Sequence, residues 1–138
     1  MSLRETPLDF PPPQFHVELL VGDHSPCFMR KAARHYLAIW HREALADAVT
    51  LALTELLTNV HRHVPGRWCT STVLRTPHGV RIEVYDRSPT LPEPRTTDPL
   101  ATEGRGLTLL THVTSAWGVT PHHDKGKTVW CEVTEVPA

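Results

Sequence analysis

A chain of 138 residues is long enough for one domain with a real core and too short for two ordinary ones. Its 15 acidic and 14 basic residues nearly balance, and no long basic run appears, so nothing asks for an electrostatic grip on a nucleic-acid backbone. The start, MSLRETPLDFPPP, lacks the apolar core of a signal peptide, and no later apolar stretch could cross a bilayer, which reads as a soluble, cytoplasmic protein with no membrane attachment. Cys27, Cys69 and Cys131 are odd in number and scattered, with no Cys-x-x-Cys pair, so they are expected to be reduced thiols rather than a disulfide framework or zinc ribbon.

Pro7 and the run Pro11-Pro12-Pro13 favour extended geometry, making residues 1–14 a tail and residues 15–138 the domain. Phe15, Val17 and Leu19 alternate with His16 and Glu18, the pattern of a strand with one buried face. Asp23, His24 and Ser25-Pro26 offer a cap and a first-turn proline for a helix to about Trp40, with Phe28, Ala32, Tyr36 and Ile39 as its apolar members. A second helix, about Glu43 to His63, follows from Leu45, Val49, Ala52, Leu53, Leu56, Leu57 and Val60, and Pro65-Gly66 ends it.

Two strands, about Trp68 to Arg75 and Val80 to Asp86, form a hairpin through Pro77-His78-Gly79. The next stretch, about 87–105, holds Pro89, Pro92, Pro94 and Pro99 with little apolar periodicity; a loop of that length is usually functional, and it reads as a lid. Gly104-Arg105-Gly106 leads into a short helix from Leu107 to about Thr114. Two last strands, about Ala116 to His122 and Lys127 to Thr134, close the chain across Asp124-Lys125-Gly126. The expected fold is an α/β two-layer sandwich, a mainly antiparallel sheet with helices on one face.

Four short patterns carry chemistry. Glu55 and Asn59 are four apart on the second helix and share a face, a carboxylate able to deprotonate a nucleophile beside an amide oxygen able to ligate magnesium. Alone, such a pair is more often a solvated helix face. Asp86 ends a strand, where it can accept from an amine such as that of adenine or simply start an Asx turn. In Glu103-Gly104-Arg105-Gly106-Leu107, glycines let backbone N–H groups face an anion at a helix N-terminus, a fit for phosphate. Gly126-Lys127-Thr128 has the letters of a Walker tail but lacks the upstream glycine. The ten histidines lack metal-ligand spacing: His61 and His63 point to different sides of a helix.

In this order the four patterns resemble the superfamily shared by gyrase and histidine-kinase ATPases. The phrasing of residues 54–60, Thr-Glu-Leu-Leu-Thr-Asn-Val, with Arg62-His63 and Gly104-Arg105-Gly106-Leu107, is most similar to the stand-alone anti-sigma-factor serine/threonine kinases. The resemblance implies that Asn59 ligates magnesium, Glu55 is the general base and Asp86 receives the adenine amine of ATP. It further implies that Gly104 and Gly106, in the motif that Leu107 completes, approach the phosphates, with Arg62 and Arg105 nearby, and that Thr128 supports the adenine side. Where the family's second motif reads Asp-x-Gly-x-Gly, this chain has Asp86-Arg87-Ser88-Pro89-Thr90, with Ser88 in place of the first glycine and a proline stiffening the lid's start. Implied partners are a sigma factor, an anti-anti-sigma factor, or both, with a possible homodimer. The competing reading is a module that holds ATP and regulates by binding alone.

Overall fold

A computed structural model describes residues 13–90 and 110–135. Most of the proline-rich tail, lid residues 91–105 and the Gly104-Arg105-Gly106-Leu107 motif therefore lie outside the described residues. The elements run β1 (Gln14–Leu20), α1 (Ser25–Ile39), α2 (Ala46–His63), β2 (Trp68–Thr76), β3 (Gly79–Asp86), β4 (Ala116–Pro121) and β5 (Lys127–Thr134). A single helical turn, Glu43–Leu45, precedes α2, so the expected start at Glu43 is a tighter turn rather than the α-helix itself. Residues 110–113 are helical and fall within the short helix expected before β4, whose first residues lie outside the described ones.

All the described strand pairings are antiparallel, in the order β1-β2-β3-β5-β4. The side-chain period of two sorts each strand into an inner and an outer row. Phe15, Cys69, Ser71, Val73, Val80, Ile82, Val84, Val129, Cys131 and Val133 are buried on the inner face. The two helices cover that face. Helix α2 contributes Val49, Ala52, Leu53, Leu56, Leu57 and Val60, a stripe at three- and four-residue spacing that packs over β3 and β5.

Helix α1 packs the expected Ala32, Tyr36 and Ile39 half-buried against the core, beside a fully buried stripe that the spacing did not single out. Met29, Ala33 and Leu37 are buried, with Trp40 just beyond, whereas Phe28 is 59 % exposed. The expected Tyr36 faces the sheet edge, where Phe15 of β1 stacks on it at 4.3 Å and lies 6.5 Å from Trp40. Of the expected apolar members, Phe28 alone is turned away from the core.

Helix α2 ends where Gly66 takes φ 78°, a left-handed conformation that suits glycine, followed by Arg67 at φ 56°. The Arg67 carbonyl accepts from Val21 N at 2.8 Å, tying this turn to the end of β1. No described helix is long and apolar enough to cross a membrane.

Leu53 has no exposed surface and belongs to the buried stripe of α2. Leu53→Ala is expected to cost about 2–5 kcal/mol of stability through lost burial and the cavity left behind, read from the midpoint of denaturant unfolding.

Candidate functional site

Apart from Ser71, the inner face of the sheet is apolar until its last row. There Cys69, Asp86 and Lys127 stand side by side on β2, β3 and β5, paired by register. Strand alternation puts Lys127 in the same row as Val129, Cys131 and Val133, so its ammonium is carried inside. The side chains of Asp86 and Lys127 are only 2 % and 4 % exposed, and Lys127 Nζ donates to Asp86 Oδ1 at 2.8 Å. Two charges survive burial here because each is the other's partner and further hydrogen bonds complete them.

Those further bonds come from the chain leaving β3. Ser88 N donates to Asp86 Oδ1 at 2.8 Å, which is an Asx turn, and the Ser88 carbonyl accepts from Lys127 Nζ at 3.0 Å. Ser88 is itself buried, and its Oγ accepts from Thr90 N at 3.3 Å. On the other side, Gly126 lies so close that a Cβ there would meet the Asp86 carbonyl oxygen at 2.6 Å. The β4–β5 turn thus presses its backbone onto the residue that carries the carboxylate. Burial, with Asp86 beside it, pushes the Cys69 thiol up to about 12, so Cys69 is an inert wall of this corner.

Thr128 does not join this group. One residue along the strand from Lys127, it projects from the outer face, where its Oγ1 lies 2.7 Å from His122 Nε2. The residue of Gly126-Lys127-Thr128 that stands beside Asp86 is the lysine. Lys127 went unnoticed in the sequence because its letters were weighed as a motif; its parity with Val129, Cys131 and Val133 was the signal that could have found it.

On α2, Glu55, Asn59 and Arg62 are spaced four and three apart, so they share a face beside the leucine stripe. Glu55 and Asn59 are half-buried, and among the described residues neither side chain has a hydrogen-bond partner. Burial raises the Glu55 carboxyl above its ordinary range, and the Arg62 charge partly lowers it. Among the described residues, no hydrogen bond or ion pair joins these residues to Asp86. Gly104, Arg105, Gly106 and Leu107 lie outside them. A small cleft lined by Val21, Gly22, Asp23, Pro26, Thr58 and His61 opens between the β1–α1 turn and α2, and it holds none of the expected site residues.

An antiparallel sheet covered on one face by helices, with a carboxylate buried at a strand end and a carboxylate–amide pair on the covering helix, belongs to the class of two-layer α/β domains. The model of the histidine kinase-like ATPase domain matches residues 23–132, most of the chain, and the protein belongs to that family, whose domain binds ATP. No curated protein matches the chain.

Lys127→Met is expected to destabilise the fold by about 3–5 kcal/mol, because it strands a buried carboxylate. The neutral pair Asp86→Asn with Lys127→Met is expected to recover most of that loss; denaturant unfolding of the three proteins measures both effects.

Folding raises the Glu55 pKa, so the folded state holds the proton more tightly, and stability falls as pH rises from the unfolded value through the folded one. Glu55→Gln removes this penalty. It is expected to be more stable than the parent at neutral pH, with the difference vanishing in acid below both pKa values, as read from unfolding midpoints across pH.

Proposed function

We propose that the protein is an ATP-binding regulator of the anti-sigma-factor type, transferring phosphate from ATP to a serine or threonine of an anti-anti-sigma partner in the cytoplasm. The observation that carries this reading is the half-buried pair Glu55 and Asn59, two polar side chains without hydrogen-bond partners among the described residues on the helix that covers the sheet. Half-buried, both stay open on one side, and burial with Arg62 nearby shifts the Glu55 carboxyl. A carboxylate and an amide on one helix face fit a site that a ligand completes.

In this reading each residue has a distinct task. Asp86 receives the adenine amine. The amide oxygen of Asn59 suits a hard divalent cation, which prefers oxygen and takes few protein ligands. Magnesium held there supplies charge neutralisation to the phosphates. Glu55, whose burial raises its affinity for a proton, accepts the proton of the partner's hydroxyl as that oxygen attacks the γ-phosphorus and ADP leaves. Arg62 and Arg105 offer positive charge to the phosphates, and Gly104 and Gly106 the backbone N–H groups.

The motif after Asp86 supports a second reading, a module that holds ATP without phosphotransfer, because Ser88 and Thr90 stand where flexible glycines would.

Two variants separate binding from catalysis. Asn59→Ala is expected to bind ATP with most of its magnesium dependence lost, as measured by calorimetry with and without magnesium. Glu55→Gln is expected to bind ATP nearly as well as the parent and to phosphorylate the partner about 10²–10⁴-fold more slowly. A parent protein that binds ATP yet phosphorylates no anti-anti-sigma protein selects the second reading.

A further inference from the structure

The cleft between the β1–α1 turn and α2 shares no lining residue with the groups assigned to nucleotide. Its volume is about 170 Å³, and a cavity of about 150 Å³ accepts a guest the size of benzene. Val21 and Pro26 give it an apolar wall, and Asp23, Thr58 and His61 add three polar side chains. Thr58 and His61, three apart on α2, are neighbours on one helix face. Earlier on that helix, Thr50 and Thr54 turn their hydroxyls back to the carbonyls of Ala46 and Thr50, at 2.8 Å each. Thr58 makes no such bond among the described residues, which leaves its hydroxyl available to the cleft. His61 Nε2 stands 3.7 Å from Asp23 Oδ1, beyond hydrogen-bond length, so the two groups face each other without closing on each other.

The sign of charge that the cleft accepts follows from its lining. Among the described residues Asp23 is its one carboxylate, and no lysine or arginine lines it. The start of α1 offers an anion little, because Ser25 N donates to the Gly22 carbonyl, Phe28 N donates to the His24 carbonyl, and Pro26 has no N–H. We propose that this cleft binds a primary alkylammonium group. The alkyl stem lies against Val21 and Pro26, and the N–H donors go to the Asp23 carboxylate, the Thr58 hydroxyl oxygen and an unprotonated ring nitrogen of His61. An ammonium has three donors and no acceptor, which matches three acceptors. The group belongs to a free alkylamine or to the lysine side chain of a partner, and the recognition chemistry is the same for both. Asp23 is 91 % exposed and therefore screened by water, so binding is weak, with a dissociation constant of roughly 1–10 mM.

The test titrates n-butylammonium chloride into the full chain without nucleotide, at constant ionic strength, and follows the backbone amides by NMR. The amides of Val21, Gly22, Asp23, Thr58 and His61 are expected to shift along one saturating curve. Asp23→Asn changes an exposed side chain and is expected to weaken binding about three- to tenfold, and Thr58→Val about two- to tenfold. 1-Butanol, which keeps the stem and lacks the charge, is expected to bind severalfold more weakly than the amine. Acetyl-lysine methylamide separates the two sources. Binding as tight as that of n-butylammonium assigns the cleft to a protein lysine, and binding of n-butylammonium alone assigns it to a free alkylamine. Shifts that do not saturate, an Asp23→Asn protein with the parent's affinity, or 1-butanol binding as well as the amine each overturn the proposal. With no nucleotide present, every one of these outcomes leaves the ATP reading untouched.

Discussion

Two opposite charges buried in one corner of a sheet leave a chain little freedom. Neither Asp86 nor Lys127 can be moved to water without exposing the other to an apolar surround, and neither can be lost alone without leaving a charge that the interior does not solvate. Much of the local backbone follows from that constraint. Strands β3 and β5 must keep the register that sets the two residues opposite each other. The chain must turn at once after β3, so that Ser88 can supply an N–H to one charge and a carbonyl to the other. Residue 126 must lack a side chain, because the β4–β5 turn meets the Asp86 backbone at a separation that no Cβ tolerates.

Helix α2 serves two masters at adjacent spacings. Its leucine stripe is spent on the sheet, while Glu55 and Asn59, one step around the cylinder, stay half-buried and uncommitted. A carboxylate in that setting works against the fold at neutral pH, since burial disfavours its charged form. Such a local conflict is what a residue kept for chemistry looks like energetically.

Alternation made the strands legible in the sequence, and the second helix was equally plain in its leucine spacing. Boundaries moved by a few residues, as at Glu43–Leu45, where a tight turn precedes the helix. Helix α1 was legible in part, since Ala32, Tyr36 and Ile39 pack against the core, but its fully buried members are Met29, Ala33 and Leu37, and Phe28 faces out. In the candidate site, single residues such as Glu55, Asn59 and Asp86 were visible as types at spacings. The buried partnership of Asp86 was not, because it depends on which β5 residue faces it, and a motif's letters do not carry strand parity. Thr128 and Lys127 are neighbours in sequence and on opposite sides of the sheet.

The outer face of the sheet is paved differently. Trp68 meets Tyr85 edge-on, Tyr85 meets His122, and the guanidinium of Arg87 lies 4.3 Å from the Trp68 ring centre. Arg87 is the residue directly after Asp86, at the start of the segment that leaves the sheet. An indole's emission is sensitive to a cation resting on its ring, so the protein carries its own optical gauge at this point. A rearrangement that lifts Arg87 from Trp68 would alter the surroundings of one of the chain's four indoles, with no label attached.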